Sequence, residues 1–173
     1  MKSEELALRA LEPQDIDLLY QWENNMEIWE VSNTLTPFSK HQLVKYIEQA
    51  QLDVFQTKQL RLIIELEQSN TIIGMIDLFD FDPFHQRGGI GIIIHKKHRQ
   101  KGYATEALEL FCNYCFNNLA LNQLYANIAA SNKASIALFE KAGFELVGIK
   151  KKWQKTKDGF ADECLYQKLR CPY

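Results

Sequence analysis

The sequence predicts a single α/β domain, and three observations carry that expectation. Apolar β-branched runs alternate with segments of helical periodicity along the 173 residues. The central run, Ile90-Gly91-Ile92-Ile93-Ile94, has the composition of a buried strand; it leads through a short basic stretch into a strong amphipathic helix pattern from Thr105 onward. The chain is 46% hydrophobic, enough to bury a core, and its length suits one domain spanning residues 1–173.

Taken in order, Leu6 to Leu11 reads as a first strand. Pro13 suits the first position of a helix, which Ile16, Leu19, Tyr20 and Glu23 continue at helical spacing. Asn24-Asn25 interrupts it, and Met26 to Val31 reads as a second helical piece or a loop. Ser39 is a good N-cap for a helix carrying Leu43, Val44, Ile47 and Ala50. Leu60 to Glu67 and Thr71 to Phe79 are strand-like, with Gln68-Ser69-Asn70 as a hairpin turn. Asp80 to Arg87 reads as a loop holding Pro83, and Gly88 to His95 as the central strand.

Ala104, Ala107, Leu108, Phe111, Cys115 and Leu119 form one apolar stripe along the following helix. Gln123 to Ala129 is the next strand and Asn132 to Ala142 the next helix, with Gly143 placed to end it in a left-handed cap. Phe144 to Ile149 and Phe160 to Leu169 are the last strands, and Asp158-Gly159 is a strong turn signal between them. The basic run Lys150-Lys151-Lys152 reads as a solvated strand edge that discourages aggregation.

The formal net charge is −2, which argues against nucleic acid as a partner. No window approaches the length of an apolar membrane span, and the N-terminus lacks the apolar core of a signal peptide, so a cytoplasmic location is expected. Cys112, Cys115, Cys164 and Cys171 are few and scattered. The C-x-x-C of Cys112 and Cys115 lies inside a helix pattern without a second ligand pair, so reduced thiols and no metal are expected.

The strand, the basic turn and the helix start together make an anion site. Gly102 and Ala104 are small enough for a backbone to approach a ligand closely. Free N–H groups of the first helical turn point outward, and the helix dipole favours negative charge. Lys97, Arg99 and Lys101 add cations to the same loop.

In that setting Arg99-x-x-Gly102-x-Ala104 resembles the acetyl-coenzyme A signature of the GNAT superfamily of N-acetyltransferases. The stretch from Asn132 to Gly143-Phe144 resembles its second signature, in which an Asn opens a helix that ends in Gly-Phe. The opening Leu8-Arg9-Ala10-Leu11-Glu12-Pro13-Gln14-Asp15 is similar to the start of the ribosomal-protein and polyamine branch. The resemblance runs from about Leu6 to Lys168.

The resemblance implies a mixed, mostly antiparallel twisted sheet of six to seven strands, flanked by helices and splayed at the acetyl-coenzyme A strand. It implies direct acetyl transfer from acetyl-coenzyme A, as co-substrate, to a primary amine, with no metal and no covalent enzyme intermediate. The Ile92, Ile93 and Ile94 backbone would pair with the pantetheine arm, one N–H polarising the thioester carbonyl. Arg99, Gln100, Lys101, Gly102, Tyr103 and Ala104 would cradle the phosphates. Asn132 would touch the pantetheine region, although an Asn there also serves as a plain N-cap. Family habit further implies a homodimer, which no residue pattern specifies.

Two positions depart from the family. Many members carry an acidic Tyr where this chain has Phe139, which cannot donate a proton. Many ribosomal-branch relatives carry a Glu at the start of the central strand, where this chain reads Arg87-Gly88-Gly89-Ile90-Gly91. A base must come from elsewhere, and Asp77 and Asp80 sit on or just after the preceding strand. Asp77 matches, by resemblance, a Glu of bacterial spermidine acetyltransferases. Tyr103, Tyr114 and Tyr125 read as packing or strand surface.

Glu23, Glu27 and Glu30 fall within one helical region and would share a face. With Asp77, Asp80 and Asp82 they would make an acidic acceptor side opposite a basic cofactor side. A polyamine such as spermidine is the acceptor this pattern favours. The α-amine of a protein N-terminus, as in ribosomal-protein acetylation, and other small amines suit the same wall. A non-catalytic module that senses acetyl-coenzyme A fits the intact Gly102 site and the departures. A dinucleotide oxidoreductase does not fit, because Gly88-Gly89-Ile90-Gly91 precedes the apolar strand instead of following one.

Overall fold

In the computed structural model a seven-stranded sheet runs in the order β1-β2-β3-β4-β5-β7-β6. Residues 1–26, 28–29 and 34–170 are described. Glu27, Glu30 and Cys171 lie outside them, and with them two of the three predicted acceptor glutamates. The strands are β1 (Leu6–Ala10), β2 (Leu60–Leu66), β3 (Thr71–Asp82), β4 (Arg87–Ile94), β5 (Gln123–Ala129), β6 (Glu145–Thr156) and β7 (Gly159–Leu169). Helices are α1 (Ile16–Glu23), α2 (Lys40–Gln49), α3 (Val54–Thr57), α4 (Tyr103–Asn117) and α5 (Lys133–Lys141). All neighbouring strands are antiparallel except β4 and β5, as the mixed sheet requires. No helix among the described residues is long and apolar enough to cross a membrane.

Local chemistry sets most boundaries. Ser39 and Gln42 close a reciprocal capping box at the start of α2. The hairpin between β2 and β3 turns on Asn70, whose positive φ an Asn tolerates. Gly143 takes a φ of +82° just beyond α5 and ends it. Asn24 stops α1: its side chain donates to the Tyr20 and Phe38 carbonyls and accepts from the Phe38 amide. Glu23 is therefore the last residue of α1.

Three elements differ from the sequence expectation. The segment from Asp80, expected as loop, is still strand: β3 runs to Asp82, which pairs with Arg87 beyond a bulge centred on Asp80 at φ +49°. Strand β6 continues through the lysine run to Thr156, because Lys150 and Lys151 ion-pair with Glu163 and Asp162 on β7. The run does lie on an edge strand. The short α3, capped by Asp53, has too few residues to show a period.

Side chains alternate between two faces of the sheet. Leu62, Ile64, Ile76, Leu78, Ile90, Leu124, Ala126 and Ile128 pack against α4, whose Ala107, Leu108, Phe111, Cys112 and Cys115 are buried. On the opposite face Ile63 and Met75 meet Leu19 and Trp22 of α1 and Leu43 and Ile47 of α2. Burial pushes the Cys112 thiol up to about 12, and Cys115 likewise rises, so both are inert packing groups.

Candidate active site

Strands β4 and β5 pair over three positions only: Arg87 with Gln123, Gly88 with Leu124 and Gly89 with Tyr125. Beyond Gly89 they part. β4 continues to Ile94 paired with β3 alone, and β5 continues to Ala129 paired with β7. Among the described residues the β5-facing backbone edge from Ile90 to Ile94, which holds Ile92 and Ile93, thus lacks a ladder partner and is open to a bound extended group. This is the splay expected at the central strand.

The turn after β4 completes the open side. A single 3₁₀ turn at Lys96–His98 leads to Gln100 and Gly102, both left-handed, with Gly102 at φ +88° as the N-cap of α4. The first backward bonds of that helix come from Thr105 and Glu106, both to the Gly102 carbonyl, which leaves the Tyr103 and Ala104 amides turned outward. A Cβ built on Gly102 meets nothing within 4 Å, so the space over the turn is open. Lys97, Gln100 and Lys101 are exposed around it. These features fit a phosphate-bearing ligand such as acetyl-coenzyme A. Arg99 spends its Nε on the Ile94 carbonyl at 2.8 Å and ties the turn to the strand. Asn132 caps α5 by accepting from the Ser135 amide at 3.1 Å.

The α1/α2 face of the sheet carries the carboxylates. Arg61, Asp77 and Gly91 lie in one row across β2, β3 and β4. Arg61 donates from Nε and Nη2 to both Asp77 oxygens at 2.6 and 2.8 Å, and from Nη1 to the Glu23 carboxylate. The Tyr46 ring of α2 lies 5.3 Å from the guanidinium, and burial holds its phenol above the usual range. Glu23 and Asp77, both singled out from sequence, therefore meet in one cluster around one cation.

The next row is Phe79, Gly89 and Tyr125 across β3, β4 and β5. The Phe79 ring lies over Gly89, where a Cβ would sit 2.2 Å from it, and meets Tyr125 edge-on at 5.8 Å. Tyr125 donates its hydroxyl to Asp80 Oδ2 at 2.9 Å. Asp82 accepts from the His85 amide and lies 3.4 Å from Arg87. Phe139 is 2% exposed and packs edge-on against Phe144 in the core. Arg61, Tyr46 and Phe79 carry no motif; the signal for Arg61 is a cation within a mainly apolar strand.

A cleft of about 400 Å³ opens between α1 and the end of β4, lined by Trp22, Ile28, Ile93, Ile94, His95 and Arg99 among others. Trp22 stacks on His95 at 5.9 Å. Phe81 is core, Phe84 is exposed, and Trp29 donates its indole N–H to the Glu23 carbonyl.

Residues 5–145 match the acetyltransferase (GNAT) domain model. The chain belongs to the GNAT acetyltransferases. It is an acyltransferase enzyme with the mixed α/β fold of that family. It is 28% identical to the uncharacterised N-acetyltransferase p20 of Bacillus licheniformis, over 99% of this chain and 96% of the relative. It is 27% identical to the spermidine N(1)-acetyltransferase of Vibrio cholerae, over 81% of this chain and 79% of that one. The structure of spermidine N-acetyltransferase from Vibrio cholerae in complex with CoA and spermine superposes with a TM-score of 0.87, at 24% identity and 96% coverage of each chain.

Proposed function

We propose that this GNAT enzyme acts in the cytoplasm and moves acetyl from acetyl-coenzyme A directly to a primary amine of a polyamine such as spermidine. The observation that carries the reading is a contrast of charge between the turn after β4 and the carboxylate cluster beside that strand. The Gly102 turn offers outward amides and exposed lysines, whereas Glu23 and Asp77 share a single guanidinium and leave the cluster with an excess negative charge. Such a face favours a cationic acceptor over a neutral one. The likeness to the Vibrio cholerae spermidine enzyme supports the same class.

Acetyl-coenzyme A supplies the activated acyl group. The chain's own residues bind and orient: the outward Tyr103 and Ala104 amides with Lys97 and Lys101 hold phosphate, and the free edge of β4 receives the extended arm and polarises the carbonyl. The amine reaches the acyl carbon as a neutral nitrogen, since an ammonium has no lone pair. The departing thiolate takes no proton from Phe139 and needs none, because a thiol ordinarily titrates near ~8.5.

The test is thiol release from acetyl-coenzyme A with spermidine, spermine, short diamines, a ribosomal N-terminal peptide and an aminoglycoside as acceptors. Turnover concentrated on the polyamines is expected. Turnover on the peptide alone would move the enzyme to the ribosomal branch, and binding of coenzyme A without turnover on any amine would make it a sensing module.

A further inference from the structure

We propose that Tyr125 and Asp80 form the proton relay that empties the acceptor nitrogen as the amide bond forms. The proposal rests on the amine acetyltransferase reading above and deepens it.

Four observations place the pair. Tyr125 faces Gly89 in the last rung that joins β5 to β4, so it stands where the free β4 edge begins. It lies in the row of Phe79 and Gly89, on the sheet face that also carries the Arg61 cluster one row away. Its hydroxyl donates to Asp80 Oδ2 at 2.9 Å, which leaves the oxygen lone pairs to accept from a neighbour. Asp80 is exposed and is held by the β3 bulge in a left-handed conformation, so it can return a proton to water.

Other groups are less suited. Both Asp77 oxygens are taken by Arg61, and Phe139 has no exchangeable proton. Around the dyad, Arg87 is the facing cation, Asp82 is paired with Arg87, and Gln167 stands opposite Tyr125 on β7 and donates to Gln123. Burial, aided by Asp80, pushes the Tyr125 phenol up to about 12, so it stays protonated and acts as a conduit, not a reservoir.

The amine nitrogen forms a bond to the acetyl carbon and its N–H proton passes to Tyr125 Oη. The phenolic proton passes to Asp80 Oδ2. The carbon–sulfur bond breaks and coenzyme A leaves as the thiolate. Asp80 then releases its proton to solvent. Tyr125 touches the reacting nitrogen, and Asp80 acts through it as a positioning residue and proton acceptor.

The experiment compares Tyr125→Phe, Asp80→Asn and Asp80→Glu with the unaltered enzyme, measuring kcat and KM for spermidine against pH and coenzyme A affinity by calorimetry. The phenylalanine and asparagine variants should lose on the order of 100-fold in kcat, with KM and coenzyme A affinity preserved. Their deficit should narrow as the pH approaches ~10, where free amine and hydroxide replace the relay. Asp80→Glu should recover most of the rate. An unchanged kcat in Tyr125→Phe, a loss confined to KM, or a loss equal at every pH overturns the relay while the acetyltransferase reading stands. An unaltered enzyme that binds coenzyme A yet acetylates no amine overturns both.

Discussion

Arg61 grips Asp77 with two parallel N–H···O bonds while its remaining arm reaches Glu23 at the end of α1. All three side chains are less than about a third exposed, so neither carboxylate can fall back fully on water. Removing the guanidinium strands two carboxylates against each other. Arg61→Leu should therefore destabilise the fold by about 3 kcal/mol, read from the urea midpoint. The double variant Arg61→Leu/Asp77→Leu should recover part of that loss, because replacing a paired set by apolar groups is far milder than breaking it. Additive losses would show that the two residues do not support each other.

A second ion pair fixes how the first helix meets the sheet. Asp15 is 3% exposed and accepts from Arg9 Nη1 and Nη2 at 2.8 and 2.9 Å and from the Glu12 amide at 2.8 Å. Burial alone would push its carboxyl up; the Arg9 donors and the Glu12 amide outweigh it and hold the group below its usual range. A carboxylate depressed in the folded state contributes stability that is complete above its unfolded value near ~4 and is lost as pH falls through the folded value. Asp15→Asn should cost about 2 kcal/mol at neutral pH, and the difference from the parent should shrink as denaturation is followed into the acid range.

What was legible in the sequence was local. Gly102 before a helix, Asn132 as a cap, Asn70 in a turn and Gly143 at a helix end act within a few residues, so their chemistry shows in the order of letters. The Arg61 cluster was not legible as a cluster: Arg61 finds Asp77 16 positions away and Glu23 38 positions away, through strand register and helix docking. Tyr125 reads as strand surface until the bulge at Asp80 brings a carboxylate across 45 positions. The missing Glu of the central strand has a physical replacement as well, since Gly88, Gly89 and Gly91 make room for Leu78 and Phe79 from β3.

That last relationship separates two glycines by their neighbours. A Cβ on Gly89 would lie 2.2 Å from the Phe79 ring, which is held between β4 and Tyr125, whereas a Cβ on Gly91 would lie 3.9 Å from the same ring. Gly89→Ala must displace Phe79 and should cost about 2 kcal/mol, with a matching fall in Tm and a fall in acetyl transfer. Gly91→Ala should leave Tm close to the parent. Equal Tm values for the two variants would show that Phe79 moves freely.

Gly102 offers the cleanest separation of binding from folding. Its φ of +88° makes any side chain there strained by about 1 kcal/mol, yet the space beyond its missing Cβ is empty to 4 Å. A glutamate placed at this helix N-terminus interacts favourably with the α4 dipole, which offsets part of that strain. The same carboxylate occupies the direction in which the Tyr103 and Ala104 amides point, where a phosphate would sit. Gly102→Glu should keep its thermal transition within a few degrees of the parent and lose on the order of 100-fold in coenzyme A affinity, about 2.7 kcal/mol. Gly102→Ala, with bulk but no charge, should lose less. Titration calorimetry of the two variants ranks charge against bulk, and coenzyme A bound equally well by Gly102→Glu would move the phosphate site away from this turn.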